Sequence, residues 1–274
     1  MLFFWINLEK RTDRRAHMES LISFCPFGLK PSNIRRVSAI VPEDVPRLCR
    51  RSRFSNSEIA CLCSHLECMR LGVIDSDDED DWMVIGEDDV KGFHSGVDLE
   101  KVLANAPDDS AIIQLCTGHP DAYQSSETFS PWKGCFFNTI LYACRRSKAK
   151  VFLQDLGMDI EKSVKTNSID LAQFPFNHEA DTYLYMSLRN TYTFGMPLCS
   201  FNVDLGSDVQ HTGYNDDDPS DLLKMIERVN DIFDMSVASP HPRLGQFLRT
   251  VEQEECTSPN VYLVANNHQM CRED

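Results

Sequence analysis

Three consecutive carboxylates, Glu87-Asp88-Asp89, follow directly on the apolar run Trp82-Met83-Val84-Ile85-Gly86. Such a run reads as a buried strand. Successive side chains of a strand point to opposite sides, so Glu87 and Asp89 face the same way. Two like charges on one side repel unless a cation joins them. A hard divalent ion with positions left open for phosphate oxygens fits that arrangement. A solvated acidic turn at a strand end is the other reading, and the triplet alone leaves both open. The acidic run at 77–81 has no strand feeding it and lacks the glycine of an EF-hand loop, so it reads as solvated surface, as does the run at 216–218. A group of Cys61, Cys63, His65 and Cys68 superficially suggests zinc. On a helix, positions i and i+2 point about 200° apart, so one tetrahedral site cannot use both Cys61 and Cys63, and zinc is not expected there.

The elements that must position these residues alternate between strands and helices. Leu2-Phe3-Phe4-Trp5-Ile6-Asn7-Leu8 reads as a buried strand, residues 16–24 as a short helix, and residues 36–40 as a second strand. Ser55-Asn56-Ser57-Glu58 has the form of a capping box. Ile59, Leu62, Cys63, Leu66 and Met69 then recur at helical spacing. Downstream, the pattern predicts a helix over 97–106, strands at 111–116 and 136–143, and helices at 147–156 and 179–189. A strand at 192–194, a helix at 222–233 and a late edge strand at 261–265 complete it. That alternation indicates an α/β fold with a largely parallel sheet. Ligands of such sheets gather at the carboxyl ends of the strands, where the three carboxylates fall. No repeat or Pro/Ser-rich linker divides the chain.

The chain has 274 residues with 27 Lys+Arg against 42 Asp+Glu, a formal charge of −15. That balance argues against a nucleic-acid partner or a membrane held by bulk charge. No apolar run approaches the ~20 residues of a membrane span, and no signal peptide is recognised. Eleven cysteines, several of them inside apolar periodic segments, and the absence of any Asn-x-Ser/Thr sequon predict reduced thiols and a cytoplasmic location. The basic stretch Arg50-Arg51-Ser52-Arg53 reads either as a solvated loop or as a peripheral contact to an anionic membrane surface or acidic acceptor. No Gly-x-Gly-x-x-Gly or Gly-Lys-Ser/Thr phosphate loop is present.

Six segments resemble, in order, the motifs of the family 25 glycosyltransferases, which include bacterial lipooligosaccharide galactosyltransferases and collagen galactosyltransferases. They are residues 6–15, opening Ile6-Asn7-Leu8; residues 58–66, containing Cys61, Ser64 and His65; Ile85-Gly86-Glu87-Asp88-Asp89-Val90; Thr139 and Tyr142 with Arg146 and Ala149; Ala180-Asp181-Thr182-Tyr183-Leu184; and Gly206-Ser207-Asp208-Val209. Asn138 and Ala60 stand where the family has glycine, and Val41-Pro42 where many members have Asp-Gly.

The resemblance implies a GT-A type nucleotide-sugar-binding fold over residues 1–210, with 211–274 as a C-terminal extension packed on the same domain. It implies transfer of a hexose, galactose or glucose, from a UDP-sugar to a hydroxyl of a glycan, lipid-linked glycan or protein acceptor, with inversion. Within that reading Glu87 and Asp89 hold the metal, Mn2+ or Mg2+, with His211 or Asp208 completing its shell. Asn7, Arg11, Ser64, His65 and Asp88 lie at the donor site. Two roles stay open at Arg11 (phosphate contact or surface charge), at Asn7 (nucleobase contact or turn cap) and at His65 (donor site or structural histidine). Asp13 is expected to pair with Arg14 or Arg15. Inversion requires a base outside the metal shell. Asp181 is the candidate, with Glu179 as the alternative; the other reading of Asp181 is a helix N-cap. A glycosyltransferase fold that binds without turnover, and another metal-dependent enzyme acting on a nucleotide, are the rival classes.

Overall fold

The apolar run at the start of the chain forms β1 (Leu2–Asn7), all six residues of which are buried. A strand with no polar alternation belongs inside a sheet covered on both faces. Here β1 lies between β2 (Ile34–Ser38) and β3 (Trp82–Glu87), parallel to both. The computed structural model describes residues 1–45, 55–75, 81–94, 96–161, 179–205, 219–239 and 245–247. Within them β4 (Val90–Phe93), β5 (Ile112–Cys116), β6 (Phe129–Pro131), β7 (Leu141–Arg145), β8 (Thr191–Phe194) and β9 (Cys199–Phe201) follow. Seven strands form one sheet in the order β2-β1-β3-β7-β5-β8-β6, while β4 and β9 pair separately.

The sheet is mixed. Five strands share a direction, but β7 runs antiparallel between β3 and β5, and β6 is antiparallel at the edge. The expected largely parallel sheet is thus present with two reversed strands, one of them the neighbour of the carboxylate-bearing strand. Strand β7 also starts at Leu141, later than the pattern predicts. Residues 136–140 are apolar enough to read as strand, yet Asn138 has φ +96° and turns the chain out of the sheet. The short strands β4, β6 and β9 carry too little alternation to be read in advance.

The helices divide between the two faces. Alternation along β1 sends Phe4 and Ile6 into a cluster with Leu62, Leu66 and Met69 of α2 (Asn56–Ile74). Packed on that helix are α4 (Arg146–Asp155) and α5 (Ala180–Leu188). Phe3 and Trp5 point the other way, to Met18 of α1 (Thr12–Ser23), Val102 of α3 (Leu99–Ala104) and Val229 of α6 (Pro219–Ala238). The last of these helices docks on β9 through the Asn230 side chain, which exchanges two hydrogen bonds with the Phe201 backbone (2.7 and 3.0 Å). Helix α6 is thus held against the β4–β9 pair. The predicted strand at 261–265 and the basic stretch at 50–53 lie outside the described residues. Among the described residues, no helix is long and apolar enough to cross a membrane, and the eight cysteines form no disulfide.

The start of α2 is set by the predicted capping box. The Ser55 hydroxyl accepts from the Glu58 N–H (3.2 Å), and the Glu58 carboxylate accepts from the Ser55 N–H (2.7 Å). Ser55→Ala removes one half of this exchange and is expected to cost about 1 kcal/mol. The loss should appear as a lower urea midpoint at unchanged slope, whereas Glu58→Gln, which keeps the exchange, should cost less.

Candidate functional site

The site is assembled where β3 ends against the loop at 136–140. Gly86 permits this approach: a Cβ there would stand 3.1 Å from the Phe3 ring and 3.2 Å from the Ile140 carbonyl oxygen. The Glu87 N–H donates to Ile140 O (3.0 Å), and the Thr139 hydroxyl donates to Glu87 Oε1 (2.6 Å). Asp181, the second residue of α5, holds the loop in place. Its Oδ2 accepts from the Asn138 N–H and its Oδ1 from the Thr182 N–H, both at 2.6 Å. Asn138 in turn accepts from the Ile140 N–H through its own side chain (2.5 Å). A left-handed φ is the reason glycine suits this position, and asparagine is among the residues that tolerate it. The departure from the family pattern at Asn138 is therefore conformationally conservative.

The three carboxylates meet three different environments. Asp88, 6% exposed, takes Arg14 Nη1 on Oδ1 (2.7 Å) and Asn7 Nδ2 on Oδ2 (2.6 Å). Burial outweighs these bonds and leaves its carboxyl above the ordinary value. Burial also pushes Glu87 up, but His65, Thr139 and Arg14 together hold it below the usual carboxylate range. Asp89 has no such compensation. Among the described residues its Oδ1 is buried without a hydrogen-bond partner. Burial and the charges of Glu87 and Asp88 lift its pKa to about 7, against the pull of Arg14. A buried carboxylate oxygen with no partner beside a second carboxylate is a position a cation would satisfy. Glu87 and Asp89 therefore fit a divalent ion, and Asp88 is taken up by Arg14 and Asn7.

The predicted donor residues separate into two groups. Asn7 is buried at the end of β1, its amide spent on Asp88, on Arg11 O (3.2 Å) and on Arg36 Nε, which donates to it at 2.9 Å. That places Asn7 as the turn cap and tie to Asp88. Arg11 forms a two-point pair with Asp13 (3.0 and 2.8 Å), which holds the Asp13 carboxyl well below its usual range. The expected pairing of Asp13 with Arg14 or Arg15 is thereby corrected, since Arg14 is committed to Asp88 and Arg15 donates to Glu19.

Ser64 and His65, adjacent on α2, point apart, as about 100° of helical rotation requires. The Ser64 hydroxyl donates to Ala60 O (2.8 Å) and accepts from the Ile40 N–H (2.9 Å), tying α2 to the chain after β2. His65, fully buried, faces the carboxylates: Nε2 lies 3.5 Å from Glu87 Oε1, and Nδ1 shares a hydrogen bond with the Tyr142 hydroxyl (3.2 Å). Helix α5 begins after Glu179, its N-cap, so Asp181 is not the capping residue. His211 and Asp208 lie outside the described residues.

Two contributors carry no clear mark in the sequence. Arg14 sits among charged residues of α1 and finds Asp88 from 74 positions away. Cys61, one turn before His65, has its sulfur within 4.8 Å of a His65 nitrogen and a Glu87 oxygen. Burial and the charges of Glu87, Asp181 and Asp89 push its thiol well above the ordinary value, so all three acids act on one spot. The i, i+4 spacing of Cys61 and His65 was the available signal.

Residues 1–160 match the family model described as glycosyltransferase family 25 (LPS biosynthesis protein). The matched span runs from β1 through α4 and takes in the acidic triplet, His65 and Thr139. No curated protein matches the chain.

Removing Arg14 leaves the Asp88 charge buried and unpaired, so Arg14→Ala is expected to cost about 3–5 kcal/mol of folding stability. The double variant Arg14→Ala/Asp88→Ala should cost less than the two single variants summed, because the orphaned charge is gone. A urea-denaturation cycle over the four proteins measures that difference directly.

Proposed function

Because the chain belongs to glycosyltransferase family 25 and is therefore an enzyme that transfers a sugar from a donor to an acceptor, we propose that it moves a hexose, galactose or glucose, from a UDP-sugar to a hydroxyl group. The acceptor class is a glycan, lipid-linked glycan or glycoprotein, and the transfer inverts the anomeric centre. The observation that carries the metal-dependent reading is the partnerless buried Oδ1 of Asp89 beside Glu87 at the end of β3. The proposal includes a GT-A type fold, supported by the parallel β2-β1-β3 half of the sheet, whose carboxyl ends carry these acids.

Glu87 and Asp89 would hold Mn2+ or Mg2+, and the ion when bound would neutralise the charge that builds on the departing diphosphate. Asp88 does not join that shell; with Arg14 and Asn7 it fixes the backbone between the two ligands. Thr139 and His65 orient Glu87 from either side. For the proton acceptor the proposal is Asp181. It is a carboxylate outside the Glu87–Asp89 pair, its charge reaches the same cluster, and a carboxylate accepting two N–H bonds still has lone pairs free. Its hydrogen bond from the Asn138 N–H gives it a second duty as anchor of the 136–140 loop, and the two duties are separable.

Thermal unfolding with UDP-galactose or UDP-glucose, each with and without manganese, tests the donor site. Stabilisation should require both components and reach about 2.7 kcal/mol at a hundredfold excess over Kd. Asp89→Asn should abolish that shift at a ligand-free Tm no lower than the wild type's, and a metal-independent shift in the variant would overturn the assignment. Asp181→Asn should lower transfer by about 10²–10⁴-fold while the donor-dependent shift persists. Loss of both together would make Asp181 an anchor alone.

A further inference from the structure

Helix α2 presents Cys61 and His65 one turn apart, on the face that looks toward the end of β3. The objection to a zinc site here rested on Cys61 with Cys63, and it stands: Cys63 is fully buried in the apolar cluster on that side of the sheet. It does not touch the set Cys61, His65 and Glu87, whose sulfur, nitrogen and oxygen atoms all lie within 4.8 Å of one another. The imidazole is also set up for a ligand. Its Nδ1 is held by the Tyr142 hydroxyl, and in the tautomer where Nδ1–H donates to that oxygen, the lone pair of Nε2 faces Glu87. Nε2 is buried and, among the described residues, makes no hydrogen bond, with Glu87 Oε1 3.5 Å away. Glu87 is oriented in the same way by Thr139. Ligands steered by a hydroxyl or carbonyl behind them are the usual construction of a metal site.

We propose that Cys61, His65 and Glu87 form a site for a thiophilic divalent ion of the zinc and cobalt class, with its remaining position open to a further ligand. The inference rests on the reading of Glu87 as a metal ligand, and goes beyond it by adding two residues and naming the ion class. Occupancy replaces one proton: the Cys61 thiol gives H+ to solvent as the sulfur–metal bond forms, His65 stays neutral and Glu87 stays ionised. The two anionic ligands then cancel the charge of the ion, which suits a buried site. Magnesium, which takes oxygen ligands and refuses thiolate, is excluded from this set.

Cobalt(II) titration of the full-length chain tests it. One equivalent should produce a near-ultraviolet sulfur-to-cobalt charge-transfer band. Cys61→Ser should lose that band, with folding checked by circular dichroism. Tyr142→Phe should keep the band while weakening cobalt affinity about 10–100-fold. Asp89→Asn should leave the band in place. The proposal is overturned if the wild type shows no such band, or if Cys61→Ser keeps it. Should Cys61→Ser not fold, zinc protection of Cys61 against alkylation in the wild type, read by peptide mass spectrometry, decides the matter; unprotected Cys61 overturns the site. Manganese-dependent stabilisation by the UDP-sugar, measured on the same wild-type preparation, separates the two readings. Present without a cobalt band it leaves the donor site standing and removes this one, and the reverse result removes the donor reading alone.

Discussion

Three neighbouring negative charges at a buried strand end cannot stay there without compensation, and the rest of the site is organised around that constraint. Repulsion between adjacent carboxylates in a poorly solvated place is large compared with the net stability of a domain. The chain neutralises one of them internally, by the Arg14–Asp88 ion pair, and steadies a second, Glu87, with a hydroxyl and an imidazole. The third is left with an oxygen that nothing in the described chain satisfies. The residual demand for positive charge falls on one side of the strand only, because alternation turns Asp88 toward α1 and the other two away from it. Under the proposed reading, a protein of net charge −15 would accept a polyanionic donor through that one position.

Much of this was legible in the amino-acid sequence. The strand before Glu87, the capping box at Ser55 and the amphipathic stripe of α2 announce themselves through spacing, because short-range rules govern them. The acidic triplet at the end of that strand was visible for the same reason. The division of labour within it was not. Whether Asp88 or Glu87 meets a partner depends on Arg14 and Thr139, which arrive from 74 and 52 positions away. Residues 136–140 depart from the predicted strand for a related reason: their apolar character is real, but the chain spends it on packing a turn. Asp181 shows the same limit, since no local pattern says that its Oδ2 accepts from an N–H 43 positions upstream.

The antiparallel strand β7 explains why these distant pieces meet at all. A strand entering the sheet parallel to β3 would begin at the opposite end, and its leading loop would lie far from the carboxylates. Reversed, β7 begins where β3 ends, so the loop at 136–140 is delivered to Glu87 by the topology itself. The departure from an all-parallel sheet is thus what supplies the wall of the site opposite α2.

That construction also bears on how the molecule comes to life. The Arg14–Asp88, Thr139–Glu87 and Asn138–Asp181 bonds join segments remote along the chain, and contacts of that kind form late, after the entropy of closing large loops has been met. The two halves of the candidate site, one made by the first 90 residues and the other by the loop and α5, have no local reason to meet before the sheet has zipped between them. The candidate site is therefore a reporter of completed folding, and a nascent chain released before α5 emerges would carry the 136–140 loop with its Asp181 anchor still missing.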